Sequence, residues 1–409
     1  MTEKRIAWFE SLNVGDVPIV GGKNASLGEM VRTLKEKGVR VPGGFATTAA
    51  AFREYVAANE IEPELRASIA ALKSENASLH ETGETIRRLF LDGEFPEAIA
   101  TEIRDAYREL SRRSGQDEIS VAVRSSATAE DLPQASFAGQ QETFLNVRGE
   151  RTLLDACRRC YASLFTDRAI SYRETQGFDH LEVALSIGVQ RMVRSDLAGS
   201  GVMFSIDTET GFPGVAVISA AWGLGETVVQ GAVDPDKYLV FKPLLDDRRY
   251  TPIIEKTLGA KETKMIYATG GSERTTTVAT TQKERQAFVL SEAEILELGR
   301  WAATIEDHYG RPMDMEWAKD GETGELYMVQ ARPETVQSSR QTGQIKSYRL
   351  KTKGKPIITG SAIGEAIASG QVCAIRSAAD IDTFRDGAIL VTGMTDPDWV
   401  PIMKKAAGI

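Results

Sequence analysis

Asp314, Glu316, Gln330 and Arg332 interrupt two apolar, alternating segments in the stretch MDMEWAKDGETGELYMVQARPETV, between Met313 and Val336. Strand side chains alternate faces, so Asp314 shares a face with Glu316, and Gln330 shares one with Arg332. A turn centred near Thr323 sets Glu316 opposite Gln330 and Asp314 opposite Arg332. Two carboxylates, an amide and a guanidinium on one hairpin face suit a divalent cation and a polyanion. Carboxylate oxygens take Mg²⁺, and the planar guanidinium takes phosphate oxygens. The opposite face, with Met315, Trp317, Met328 and Tyr327 near the turn, is expected to enter a core. The competing interpretation is a solvated hairpin with a cross-strand Asp–Arg pair, and the remaining segments weigh against it.

GlyGlyLysAsnAlaSerLeuGly at 21–28 precedes a helix, so backbone amides of a flexible turn can approach phosphate while Lys23 supplies charge. It is not a Walker loop, because Asn24 rather than Ser or Thr follows Lys23; the same residues also fit a plain helix start with a solvated lysine. Arg124 ends an apolar strand directly before a hydroxyl-rich loop, where planar donors match phosphate oxygens. SerPheAlaGlyGlnGlnGluThrPheLeuAsnVal at 136–147 follows, in which Gly139 and Gln140 can fold over a nucleotide as a lid, or simply make a polar turn. Gln190 and Met192 close the last strand of a first lobe, a hinge whose backbone could meet an adenine edge with Met192 on the ring. AlaTrpGlyLeuGlyGlu at 221–226 is a second small-residue loop, ending in Glu226, and reads equally as a structural turn.

The elements that must position these residues follow from periodicity. A helix is expected over 24–36, a second from about Thr47, and helical patterns dominate 61–114. Strands are expected at 119–124, 142–147 and 183–193, with one helix over 151–174 between the last two. Beyond them come buried strands at 201–205 and 215–221 and a helix at 291–309. The expected domains are a first lobe at 1–197, a second lobe with the metal and phosphate hairpin at 198–337, a linker at 338–345, and the incomplete start of a further domain at 346–409.

A chain of 409 residues is too long for one ordinary core. Hydrophobic residues at 42% and charged residues at 26% describe a soluble globular protein, and a net charge of −9 without a basic arm argues against nucleic-acid binding. Three cysteines, no signal peptide and no membrane-length apolar run point to a reducing, cytoplasmic setting and to no membrane partner. Cys157 and Cys160 form C-x-x-C within a helical pattern, which places both thiols on one helix face; no second Cys/His pair completes a zinc site, and packing is the expected role.

Taken together, Lys23 in GGKNASLGEM, Arg124 in VRSSATAEDLPQASFAGQQET, and the segments GVMFSID, AWGLGE, DMEW and QARP resemble the ATP-binding domain of the phosphoenolpyruvate synthase family. The resemblance runs in order along the chain, and GMTDPDWVPIMKKAAGI is similar to the family segment just before its phosphohistidine loop; ThrAspProAspTrpValPro at 395–401 favours the synthases over related dikinases and antibiotic phosphotransferases. It implies a multidomain α+β and α/β fold: an ATP-grasp-like nucleotide domain of two lobes, then a swivelling β/α phosphohistidine domain, here incomplete, and a pyruvate-binding barrel. The implied reaction is ATP + pyruvate + water giving AMP + phosphoenolpyruvate + phosphate, with a homodimer for the full-length enzyme. By carry-over, Lys23 and Arg124 contact phosphates, Gln190 and its neighbours hold adenine, Glu316 and Gln330 ligate Mg²⁺ with Asp314 nearby, and Arg332 clamps the transferring phosphates. Gly139 and Thr143 sit in the lid. Lys23, Arg124 and Arg332 are the catalytic candidates, and ATP and Mg²⁺ the implied ligands.

The family's phosphoryl acceptor is a histidine in a Thr-x-His-Ala-type loop. His80, His180 and His308 are the histidines here; none lies in such a loop, and structural roles are expected for all three. The expectation is therefore a piece of a longer enzyme that grips ATP without its nucleophile and without pyruvate binding. A nucleotide-binding module without turnover is the alternative from another functional class.

Overall fold

A computed structural model describes residues 4–128, 142–268, 274–335, 367–377, 380, 383–395 and 399–409. Alternating apolar residues build a first antiparallel sheet from β1 (Ile6–Trp8), β2 (Gly44–Thr47), β3 (Val121–Ala127), β4 (Thr143–Val147) and β5 (Leu185–Arg191), in the order β1-β2-β5-β3-β4. A second sheet joins β6 (Gly199–Phe204), β7 (Val215–Trp222), β8 (Asp236–Phe241) and β9 (Ile253–Thr257). β10 (Thr263–Tyr267) and β11 (Thr275–Ala279) form a separate two-stranded ribbon, bridged at Met265 to Gly223, whereas β12 (Met313–Lys319) and β13 (Leu326–Pro333) complete the second sheet as β13-β12-β6-β7-β8-β9.

The helices are α1 (Val17–Thr33), α2 (Ala49–Ala58), α3 (Ile61–Lys73), α4 (Leu79–Asp92), α5 (Glu97–Arg113), α6 (Glu150–Ser163), α7 (Asp167–Gln176), α8 (Glu226–Val229), α9 (Gln282–Gln286) and α10 (Glu292–Tyr309). The single helix expected over 151–174 is two. Thr166 adopts an extended conformation and its hydroxyl accepts from the Ala169 amide, so an N-cap starts α7 inside a pattern whose periodicity barely changes. By contrast α10 starts at the reciprocal cap of Ser291 and Glu294 and stops at Gly310, close to the expected 291–309.

Two apolar cores result. Helices α2 to α6 cover one face of the first sheet, with Phe52, Tyr55, Phe90, Tyr161 and Phe165 among the buried side chains. The second core lies between α10 and the second sheet, where Met315, Trp317 and Met328 are buried as the hairpin pattern requires. Tyr327 departs from that expectation: it stays half-buried, with the Arg191 guanidinium 5.4 Å from its ring centre. Phe9, Leu12, Val20, Leu27 and Met30, early in the chain, belong to this second core. α1 thus lies against both sheets. Ser26 Oγ donates to the Ala331 carbonyl at 2.7 Å, and the Met328 amide donates to the Arg40 carbonyl at 2.8 Å.

By contacts the chain divides into two compact units, one of residues up to 207 with 212–335, the other of 208–211 with the C-terminal stretch. In the latter, β14 (Val372–Ala374) runs parallel to β15 (Ile389–Val391), and α11 (Val400–Lys405) adds Ile402 to a small core with Ile375, Phe384, Leu390 and Trp399. The expected linker at 338–345 lies outside the described residues. Among the described residues no helix is long and apolar enough to cross a membrane.

Candidate functional site

Period-two alternation sorts β3 and β5 into two rows. Val121, Val123 and Ala127, with Leu185, Ile187 and Val189, enter the helix-covered core. Ala122, Arg124 and Ser126 lie directly across from Gln190, Gly188 and Ser186 and make the opposite face. That face is polar where the other is oily, and it is the face toward α1: Asn24 bonds both Ser126 and Ser186.

The second sheet supplies the other wall. β12 and β13 pair with Glu316 opposite Gln330 and Asp314 opposite Arg332, the expected register, and a bulge follows Glu316. Arg124 spans from one sheet to the other. Its Nη1 donates to the Val329 carbonyl at 3.2 Å and to Gln330 Oε1 at 3.5 Å, and its Nη2 lies 3.7 Å from Glu316 Oε2. A charge-assisted bond of this type is normally about 2.7–2.9 Å. Among the described residues, Arg124 Nε is buried without a partner. The guanidinium therefore keeps donor capacity for a stronger acceptor than its neighbours provide.

Arg332 is held differently: its Nε and Nη2 lie 2.9 and 2.8 Å from Asp314 Oδ2. Burial pushes the Asp314 carboxyl above its ordinary value; Arg332 opposes this, and the neighbouring Glu316 and Glu334 add to it. Glu226 begins α8, and burial raises its carboxyl while the charge of Arg124 pulls it down, so the second small-residue loop lies within electrostatic reach of Arg124.

Lys23 arrives from α1. Gly21, at φ 73° and ψ 167°, breaks that helix, and Lys23 sits in the turn after the break with Nζ 3.5 Å from the Ser125 carbonyl. Thr143 pairs with Arg124 across the β3–β4 ladder and is exposed. Gly139 and Gln140 lie outside the described residues. Gln190 is 2% exposed, and its Nε2 is buried without a partner among the described residues. The hinge backbone expected to meet an adenine edge is partly committed: the Arg191 amide donates to the Gly43 carbonyl and the Met192 amide to the Ser120 carbonyl, both at 2.9 Å. The Gln190 side-chain amide is a donor still unpartnered among the described residues at this end, and Met192 is half-buried beside it.

Among the described residues no three His, Cys, Asp or Glu side chains gather as a metal site. Glu316, Gln330 and Asp314 offer two carboxylates and an amide oxygen, which fits Mg²⁺, an ion that keeps waters and takes phosphate oxygens in addition to one or two carboxylates. Arg332 occupies Oδ2 of Asp314, which leaves Glu316 the less committed carboxylate.

Cys157 and Cys160 are wholly buried and burial raises both thiols, which fits packing and neither zinc nor redox chemistry. The histidines are engaged structurally: His80 with Asp167, His308 with Glu29, and His180 between Arg173 and Glu174. No sequence pattern singles out Asn24, Ser126, Ser186 or Gly188 for this face. The available signal was an asparagine on the buried stripe of a helix, since Asn24 is 1% exposed.

Comparison with known proteins gives a consistent result. A family model described as the pyruvate phosphate dikinase AMP/ATP-binding domain matches residues 17–352. The chain is 54% identical over 415 residues to a phosphoenolpyruvate synthase of Synechocystis sp., covering 99% of this chain and 51% of that protein. It is 50% identical over 409 residues to the phosphoenolpyruvate synthase of Escherichia coli, covering 99% and 51%. For that of Aquifex aeolicus the identity is 49% over 416 residues, covering 99% and 48%. The chain spans about half the length of the curated relatives it matches.

Proposed function

The chain belongs to the pyruvate phosphate dikinase AMP/ATP-binding domain family, and from that premise we propose that it is the ATP-binding, phosphoryl-donating portion of a phosphoenolpyruvate synthase. The observation that carries this reading is Arg124, an under-satisfied guanidinium of the first sheet, meeting Glu316 and Gln330 of the second. The reading includes an ATP-grasp-like pair of lobes, with polyphosphate between Lys23 and Arg124 on one side and Arg332 on the other. Gln190 Nε2 donates to the base, Met192 packs on it, and Glu226 lies near the nucleotide. Glu316 and Gln330, with Asp314 beside them, would hold Mg²⁺, which when bound offsets phosphate charge. Asp314 orients the Arg332 guanidinium for the transferring group. Thr143, opposite Arg124 on the neighbouring strand, lies beside the phosphates.

In this reading the β-phosphoryl group passes to a histidine on a phosphohistidine domain, as part of ATP + pyruvate + water giving AMP + phosphoenolpyruvate + phosphate. Arg124, Lys23 and Arg332 bind the charge that develops during transfer. A cytoplasmic, homodimeric enzyme completes the proposal.

Calorimetry with ATP and Mg²⁺ tests the site. Lys23→Ala and Arg332→Ala are each expected to lower affinity at least about tenfold, the loss of one charge-assisted contact; unchanged affinity in both sinks the assignment. A separately made phosphohistidine domain should take label from β-labelled ATP when mixed with this chain. Tight binding without transfer would favour a binding module.

A further inference from the structure

In an unbroken α1 the Val20 carbonyl would accept from the Asn24 amide four residues on. The break at Gly21 removes that bond, and the Asn24 side chain replaces it: Nδ2 donates to the Val20 carbonyl at 3.1 Å. The same Nδ2 donates to Ser186 Oγ at 2.9 Å, and Ser186 Oγ in turn donates to the Thr47 carbonyl at 2.5 Å. The displaced Asn24 amide reaches Ser126 Oγ at 3.4 Å. Two glycines make room. A Cβ on Gly21 would stand 2.3 Å from Ser126 Oγ, and one on Gly188 would stand 2.2 Å from Asn24 Oδ1. Asn24 therefore fastens the broken turn to β3 and β5 across chain separations of 102 and 162 residues, with the side chain buried and both amide hydrogens used.

Resting on the ATP-site reading above, we propose that Asn24 is a positioning residue: it fixes the Gly21–Asn24 turn so that the adjacent Lys23 ammonium faces the polyphosphate. Asn24 itself touches no nucleotide. Its loss lets the turn relax toward regular helix, which rotates Lys23 away from the Ser125 edge of β3.

The test is a double-mutant cycle read by calorimetry on the intact chain, with the Mg²⁺ complex of the β,γ-imido analogue of ATP and with adenosine as the phosphate-free probe. Asn24→Ala is expected to weaken the analogue about tenfold and adenosine less than about twofold, a loss the size of one charge-assisted bond. In a Lys23→Ala background the same substitution should change analogue binding by less than about twofold, since residues acting as a unit are not additive. Equal losses for both probes, or an undiminished loss in the Lys23→Ala background, overturn the inference. If Lys23→Ala alone leaves the analogue's affinity unchanged, there is no Lys23 contact for Asn24 to position and the inference is overturned; the ATP-site reading itself fails only if Arg332→Ala is silent as well. Ser186→Ala, which removes one anchor and leaves Asn24 in place, decides the matter if Asn24→Ala does not fold. It should lower analogue affinity about threefold, as for one neutral hydrogen bond, and do so only when Lys23 is present; an equal loss in the Lys23→Ala background overturns the inference.

Discussion

Arg124 and Arg332 are the same residue type in one site with opposite degrees of commitment. Arg332 has a carboxylate oxygen at 2.8 Å, whereas among the described residues Arg124 has only contacts of 3.2 to 3.7 Å and an unpartnered Nε. The first is pre-oriented and the second retains unmet donor capacity, which suits an anion that arrives and leaves. Their surroundings are equally specific at the glycines. Gly188→Ala places a methyl group 2.2 Å from Asn24 Oδ1 at a buried position of β5. It is expected to cost about 1–3 kcal/mol in overpacking, read by thermal or denaturant unfolding. The sequence made Arg124, Asp314, Glu316 and Arg332 legible, because charges at strand spacing stand out in an apolar run. Asn24 and Gly188 stayed hidden, since their roles exist only where α1 crosses β5.

At the scale of elements, the β12–β13 hairpin was readable to its register because both strands lie within about twenty residues of one another and one face must be oily. α7 was not. Its neighbourhood holds Arg173, wholly buried, donating from Nε to His180 Nδ1 at 2.9 Å, while the opposite ring nitrogen lies 2.7 Å from Glu174 Oε1. An accepting Nδ1 requires the hydrogen on Nε2, so this ring is neutral. Burial first, then the Arg173 charge and more weakly Lys73, lowers the His180 pKa below 6.5, with Glu174 opposing. The unfolded chain therefore takes up a proton at a pH where the folded chain does not, and stability falls as pH drops below 6.5. His180→Gln should flatten that slope between about pH 7 and 5, measured as melting temperature against pH.

A second element-scale prediction separates buried from exposed pairs. Lys261 and Asp236 are both fully buried and paired, and Asp236 also accepts from the Gly259 and Val289 amides and from the Tyr238 hydroxyl. Lys261→Met strands that carboxylate, and is expected to cost about 3–5 kcal/mol in denaturant unfolding. Lys256→Ala removes a partner of Glu292 that is 35% exposed itself against 63% for the glutamate, and should cost less than about 1 kcal/mol.

Across the whole molecule α1 is the member that the two sheets share. It carries Lys23 to the edge of β3, packs Val20, Leu27 and Met30 into the second core, and bonds β13 through Ser26. A ligand gripped by residues of both sheets stabilises only the state in which both are folded. At a hundred times its dissociation constant, Mg·ATP should therefore add about 2.7 kcal/mol to unfolding, seen as a rise in melting temperature in the unaltered chain and one about half as large or less in Arg332→Ala at the same ligand concentration.

By itself the sequence determined what is local: helix stripes, strand alternation, the caps of α10 and the facing pairs of one hairpin, all fixed by side-chain period and by contacts between near neighbours in the chain. Tertiary structure alone decided which of those local pieces meet. Arg124 reaches Gln330 across 206 residues, and Asn24 reaches Ser186 across 162. No period in the sequence encodes such pairings, because they depend on how two cores close around a helix that both of them need.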